Sequence, residues 1–152
     1  MRLLRTNAAV SACKAHLSTT ASAGTSIESF LTQHVLVLLS AEVESVVRDL
    51  VVQRAERCGD DAVAAFVRNA SERLLRSVAK SEIAGLIGRF GPEQQKAFND
   101  QLVDREVTAY SNAISNRHLV SHSSGVTVTF VELEAGVEAA ERLLDAAALA
   151  LV

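Results

Sequence analysis

The sequence predicts an all-α protein, an up-and-down bundle of four long helices with one or two short ones. Apolar residues recur every three or four positions through long stretches of the chain, which is the spacing of one helical face. Aromatic residues make up only 4% of the 152 residues and tryptophan is absent, which is typical of helices that pack closely through small and aliphatic side chains. This length suits one domain, so we expect residues 1–152 to form a single helical domain.

Sequence signals for helix ends divide the first half of the chain. A first helix is followed by the small polar stretch STTASAGTS, so we assign residues 1–24 to that helix and a flexible linker. Thr25 and Glu28 have the spacing of a capping box, which opens the longest helix. That helix is expected to stop near Cys58, with Gly59 as its C-terminal cap.

The second half shows the same kinds of signal. Asp60 is expected to cap a third helix that continues to Val78, and short helices are expected after it. Asp104 is expected to cap another long helix, which runs directly into the stretch SNRHLVSHSSG. Thr129 and Glu132 form a second capping box, which opens the final helix.

Charge, cysteine content and hydropathy exclude several classes of protein. A net charge of −3 argues against a broad basic surface for nucleic acid. Cys13 and Cys58 are too few and too distant for a disulfide framework, so we expect buried free thiols in a reducing cytoplasm. The apolar run FLTQHVLVLLSA contains Gln33 and His34 and is too short for a membrane span. We expect His34 to be partly buried.

The stretch NRHLVSH contains the candidate catalytic residues Arg117, His118 and His122. A guanidinium can hold a phosphate through two hydrogen bonds, and a neutral imidazole can transfer a proton near pH 7. Cleavage of an RNA phosphodiester needs both. Two other interpretations of these residues are cations that stabilise a helix end, and a metal site formed by the two histidines four residues apart. No third ligand has a suitable spacing, so we predict no metal and no cofactor.

The same stretch matches a family pattern of arginine, a polar residue, three variable residues and histidine. On this motif the chain resembles the HEPN superfamily, in particular its RiboL-PSP type. The segments LLSAEVESVVRDLVV and VTVTFVELEAGVEAAERLL also resemble the family's second helix and its closing helix. The resemblance implies a metal-independent endoribonuclease that acts as a homodimer, with two copies of the motif across a shared cleft. It also implies a toxin or defence effector restrained by a protein partner such as an antitoxin.

The resemblance gives each motif residue a role. Arg117 would hold the phosphate, His122 would transfer the proton and His118 would take the assisting polar position. The ribose 2′-hydroxyl would attack the adjacent phosphorus, leaving a cyclic phosphate and a 5′-hydroxyl. One histidine does not conveniently serve as both base and acid, which gives the dimer a role in the mechanism. Some family members have a modifiable tyrosine two residues after the histidine; here that position is Ser124, so we do not expect that modification.

Five further residues are predicted to support the site. Asn116 and Ser121 would position or bind the RNA, and Glu44 or Arg48 would steady the motif arginine, unless these two form an exposed ion pair within their helix. Tyr110 would either stack a base or pack in the core. We expect dimerisation through the alanine-rich face of the closing helix. The alternative function is a non-catalytic helical module that binds a protein or nucleotide in the same cleft.

Overall fold

The structure, a computed structural model, describes residues 2–120 and 128–151, and for residues 117–120 it describes the backbone alone. The described residues form helices and no strands, which confirms the all-α prediction. The helices are α1 (Leu4–Thr20), α2 (Ser26–Glu56), α3 (Asp61–Leu74), α4 (Lys80–Gly88), α5 (Pro92–Asp100), α6 (Asp104–Val120) and α7 (Phe130–Ala150).

The four longest helices, α1, α2, α6 and α7, form the bundle. Helices α2 and α7 run parallel, because contacts join their starts and their ends. At the start, the Phe130 amide donates a hydrogen bond of 3.2 Å to the Glu28 carboxylate. At the other end, Arg57 donates one of 3.3 Å to the Leu151 carbonyl. Helices α1 and α6 run in the opposite direction, so the four helices alternate along the chain and the bundle is up-and-down, as predicted.

Helices α6 and α7 cross at close range because both carry small residues at the crossing. A Cβ atom added to Gly136 would lie 2.5 Å from the Cβ of Ala113. The Nε atom of Arg142, in the second half of α7, lies 3.8 Å from the Oε1 atom of Glu106 in the first turn of α6. The two helices therefore run antiparallel. The C-terminal end of α6 therefore lies beside the N-terminal end of α7.

Carboxylates from two other helices bind the N-terminal end of α1. Glu42 of α2 accepts hydrogen bonds from the amides of Arg5 and Thr6, at 3.0 and 2.7 Å, and from the Thr6 hydroxyl at 2.7 Å. Glu141 of α7 accepts from the amides of Arg2 and Leu3 at 2.7 and 3.0 Å. Leu3, which precedes α1, has no capping side chain, so these glutamates satisfy amides that a local cap would otherwise bind.

The chain between α2 and α6 differs from the prediction. Helix α3 ends at Leu74 and does not continue to Val78. The segment after it is extended, and it buries Leu75 and Val78 against the bundle, where Val78 accepts a hydrogen bond from the Tyr110 hydroxyl. The short helices expected after this one are α4 and α5. Leu75 and Val78, which suggested a continuous helix, are buried although the segment between α3 and α4 is not helical.

Most of the predicted helix ends are confirmed. Asp60 accepts hydrogen bonds from the amides of Ala62 and Val63, and Thr129 with Glu132 forms a complete capping box. Gly59 follows the end of α2 with a φ of +71°. Asp104 is the first residue of α6 and not its cap, although an acidic residue there still suits the helix dipole.

Two predictions about cysteines and membranes have different outcomes. Cys13 is buried, and its burial raises the pKa of its thiol, whereas Cys58 is exposed, so the expectation of two buried thiols is wrong for Cys58. None of the described helices combines the length and the apolar composition that a membrane crossing requires.

Candidate active site

The candidate motif begins in the last turn of α6. This helix continues to Val120, which confirms that a long helix runs into the stretch NRHLVSH. Arg117 and His118 belong to its last turn, but their side chains lie outside the described part of the structure. Ser121 and His122 lie outside the described residues altogether. The convergence of Arg117 and His122 on one phosphate therefore stays a prediction.

Asn116 lies in a groove between α6 and α7 that reaches the motif. The groove has a volume of about 580 Å³, and Val128 and Glu132 line it on the side of α7. The Asn116 side chain donates a hydrogen bond of 2.9 Å to the Asn112 carbonyl one turn earlier. Asn116 is half-buried, so part of its side chain remains accessible in this groove, as a substrate-binding residue requires.

Glu28 lies at this end of the bundle, although its sequence pattern indicated only a local helix cap. Its carboxylate accepts hydrogen bonds from the amides of Gly24, at 2.6 Å, and Phe130, at 3.2 Å, so it links the starts of α2 and α7. These bonds hold the pKa of Glu28 below its ordinary value. The sequence signal was the capping-box spacing of Thr25 and Glu28, but the Thr25 amide donates to the Ser22 carbonyl instead, and the spacing did not indicate the contact with α7.

Glu44 and Arg48 lie far from the motif. Glu44 is sixteen residues after Glu28, which at about 1.5 Å per residue puts it roughly 24 Å further along α2. Helix α6 ends near the level of Glu28. The prediction that Glu44 or Arg48 steadies the motif arginine is therefore wrong within one chain.

The alternative interpretation of these two residues is confirmed. Arg48 and Glu44 form an ion pair of 2.6 Å within α2. They line a cleft of about 600 Å³ whose walls come from α2 and α3. No described residue accepts a hydrogen bond from the buried Nε atom of Arg48, whereas its Nη2 atom donates one of 3.4 Å to the Glu72 carbonyl.

Tyr110 belongs to the core. Its side chain is 1% exposed, and its hydroxyl donates a hydrogen bond to the Val78 carbonyl. Burial raises the pKa of its phenol well above the usual range. A buried ring has no free face for a base, so the structure supports core packing and not base stacking.

The N-terminal half of α2 exposes an apolar stripe, which consists of Ile27, Phe30, His34, Val37 and Ala41. Successive members are separated by three, four, three and four residues, so they lie on one face of the helix. Phe30 is 68% exposed and Val37 is 47% exposed. His34 is also exposed, so the prediction that it is partly buried is wrong.

The alanine-rich face of α7 is not available to a partner. Ala139, Ala140, Ala146 and Ala147 are buried inside the bundle. The prediction that this face forms the dimer contact is therefore wrong. The exposed side of α7 includes the charged residues Glu138, Arg142 and Asp145.

A metal site is not formed by the part of the chain that the structure describes, since no three of its His, Cys, Asp and Glu side chains lie close enough together to hold an ion. No family model, curated protein or solved structure matches this chain.

Proposed function

We propose that the chain is a metal-independent endoribonuclease that cleaves single-stranded RNA by attack of the ribose 2′-hydroxyl. The observation that carries the proposal is the stretch NRHLVSH at the C-terminal end of α6 in an all-α bundle. Arg117 holds the scissile phosphate and the charge that develops on it, His122 transfers the proton and His118 assists.

The position of Arg117 along α6 supports this proposal. Tyr110, Ala113 and Ile114 are buried and mark the side of α6 that faces the bundle interior. Arg117 follows Tyr110 by seven residues and Ala113 by four, so its backbone position continues this side at the end of the bundle. Burying an arginine without a charged partner is unfavourable. At the end of a buried stripe, a guanidinium can instead bind an anion at the protein surface.

A second copy of the chain completes the site in this proposal. Each turnover needs a base and an acid, and two copies supply two His122 side chains. The apolar stripe of α2 is the proposed contact, because it starts at the same end of the bundle as the motif and contains no carboxylate or basic side chain other than the imidazole of His34.

The stripe is self-complementary about its central residue, His34. When two such helices pack antiparallel, Phe30 of one copy meets Val37 of the other, and Ile27 meets Ala41. Large residues thus oppose smaller ones on both sides of the two-fold axis. A standard interface buries about 800 Å² per partner, which is more than five side chains supply, so the contact includes the neighbouring end of α6.

The cellular setting is part of the same proposal. The enzyme acts in the cytoplasm, where its RNA substrate is found and where the exposed Cys58 thiol remains reduced. A protein partner, such as an antitoxin, restrains it by covering the motif. Ser124 occupies the position of the tyrosine that some HEPN proteins have for modification, so we propose control by contact and not by adenylylation.

The test is RNA cleavage by purified protein in the presence of a chelator. Wild type should cut single-stranded RNA, and Arg117→Ala and His122→Ala should each abolish cutting while the helical circular dichroism spectrum is unchanged. His16→Ala is the matched control, because it removes an exposed histidine of α1 and should leave the rate unchanged. Cutting that survives both motif substitutions would contradict the proposal. RNA that is bound but never cut would favour the non-catalytic binding module.

A further inference from the structure

We propose that the groove between α6 and the start of α4 binds a second phosphate of the RNA, next to the one that is cut, with Lys80 as the phosphate-binding residue. This inference rests on the proposed function, because it assigns part of the path that the substrate follows toward the motif. The groove is named here the Lys80 groove and includes Lys80, Ser81, Ser111 and Ser115.

The chemistry of the Lys80 groove suits a phosphodiester. Its volume is about 280 Å³, and the residues that line it include Lys80 and three serines. None of the described residues that line it has a carboxylate. An ammonium neutralises a phosphate, and hydroxyl groups donate hydrogen bonds to its oxygens or to the sugar, which are the contacts that position a nucleic acid strand without reading its sequence.

Neutral groups contact the Lys80 side chain. It donates a hydrogen bond to the Asn99 side chain, and its ammonium lies 5.8 Å from the centre of the Phe98 ring. Within the described part of the chain no carboxylate forms an ion pair with Lys80. Lys14 and Lys96, by contrast, each pair with an acidic residue. Lys80 is therefore held in place by neutral groups, and an anionic ligand can supply a counter-charge.

The Lys80 groove leads toward the motif along one side of α6. Ser111 and Ser115 are four residues apart, and His118 follows Ser115 by three. Positions at these spacings lie on the same side of a helix. Along the helix axis, His118 lies roughly 10 Å beyond Ser111. An RNA strand whose scissile phosphate is bound at the motif would thus place a neighbouring phosphate in the Lys80 groove.

The larger clefts have less suitable charges. The cleft between α2 and α3 contains four carboxylates and two arginines, and both arginines already pair with glutamates. The groove between α6 and α7 contains Arg105 together with Glu132. Carboxylates in these clefts repel a phosphate, so the smaller Lys80 groove is the better candidate.

The test measures RNA binding by the non-cleaving His122→Ala chain as a function of salt concentration. Adding Lys80→Gln removes the charge but keeps a donor for Asn99, so the link between α4 and α5 is retained. Affinity for a fluorescent single-stranded RNA should fall about fivefold, and the slope of log affinity against log salt should decrease by about 0.7, the value for one lost phosphate contact on a single strand. Lys80→Arg should restore both quantities.

The control is Arg89→Gln, which removes an exposed cation that lines a different groove, between α3 and α4. Its salt slope should equal that of the parent chain. In the cleaving enzyme, Lys80→Gln should raise KM for a long RNA, leave KM for a dinucleotide unchanged and leave kcat unchanged for both.

The outcomes separate this inference from the proposed function. If wild type cuts RNA but Lys80→Gln leaves the salt slope unchanged, the Lys80 groove is not a phosphate site and the nuclease assignment stands. If wild type binds RNA with a slope that depends on Lys80 but does not cut it, the Lys80 groove stands as a binding site and the nuclease assignment fails.

Discussion

The two halves of α2 present the same helical face to different surroundings. In the C-terminal half, α3 packs against this face, and Glu44 and Arg48 pair with each other in the cleft between the two helices. In the N-terminal half, Phe30 and Val37 project from the same face and are largely exposed. The covered half is therefore polar and charged, whereas the uncovered half is apolar.

Burial within a single chain would place apolar side chains on the covered half and polar side chains on the uncovered half, and α2 shows the reverse. Exposed apolar side chains at helical spacing commonly mark a surface that a partner covers. The uncovered half begins at Ser26, at the end of the bundle where the motif lies. The exposed apolar stripe thus lies where the proposed mechanism would place a second copy of the chain.

The largest effect is expected on dimerisation. Phe30→Glu puts a charge near the centre of the apolar stripe of each copy, so the dimer dissociation constant should rise at least about 100-fold. Analytical ultracentrifugation measures this. The control Phe66→Glu changes a phenylalanine of α3 that is 72% exposed, and it should leave the dimer intact. A wild-type chain that is monomeric at all active concentrations would refute the dimer contact.

The second prediction concerns the buried side of α2, where Glu42 binds the start of α1. Burial raises the pKa of Glu42, but the hydrogen bonds from Thr6 and the amide of Arg5, with the nearby Arg5 charge, outweigh burial and lower it below 4.5. The stabilisation by Glu42 is therefore present above pH 4.5 and is lost as the pH falls through the lower pKa of the folded state.

Glu42→Gln should lower the free energy of unfolding by about 2 kcal/mol at neutral pH, because the variant loses charge-assisted hydrogen bonds in a buried position. The deficit should shrink as the pH falls below 4.5. Urea titrations at several pH values measure it, and Glu138→Gln on the exposed side of α7 is the control. A deficit that does not change with pH would contradict this account of Glu42.

The third prediction tests the α6–α7 contact that sets the position of the motif. Gly136→Ala brings its new methyl group against Ala113 and should lower the free energy of unfolding by about 1–2 kcal/mol. Gly85→Ala meets no atom within 4 Å, so it should be neutral or stabilise α4 by about 0.5 kcal/mol. Thermal unfolding compares the two variants. Equal stabilities would show that α6 and α7 are not closely packed at Gly136.

The smallest effect is expected in the covered half of α2. Arg48→Met removes a half-exposed ion pair and a buried Nε atom that has no hydrogen-bond acceptor among the described residues, so stability should change by less than about 1 kcal/mol. Because Arg48 lies far from the motif, kcat for RNA should not change. Glu44→Gln is the matched variant on the other side of the pair. A large loss of kcat with a normal fold would restore the discarded role beside Arg117.

The sequence predicted those parts of the fold that depend on neighbouring residues. Asp60 and Thr129 cap their helices through amides two or three residues away, so their spacing alone identifies them. The contacts of Glu28 with Phe130 and of Glu42 with Thr6 join residues distant in the chain, and no local pattern indicates them.

The supporting residues of the site were harder to predict for the same reason. Glu44 and Arg48 were correctly interpreted as an ion pair from their spacing of four, but their distance from the motif depends on the direction in which the helices pack. Tyr110 lies on the same side of α6 as the backbone of Arg117. The sequence does not show whether this side faces the core or a cleft, because the hydrogen bond from Tyr110 to the Val78 carbonyl joins residues distant in the chain.

The most direct test of the central claim uses an RNA with a single 2′-deoxynucleotide at a mapped cleavage position. We predict that the wild-type chain leaves this position intact, cuts the all-ribose RNA there and produces a cyclic phosphate and a 5′-hydroxyl, with both products lost in His122→Ala. Cleavage at the 2′-deoxy position, or cleavage of the ribose substrate by the Arg117→Ala and His122→Ala chains, would contradict the account.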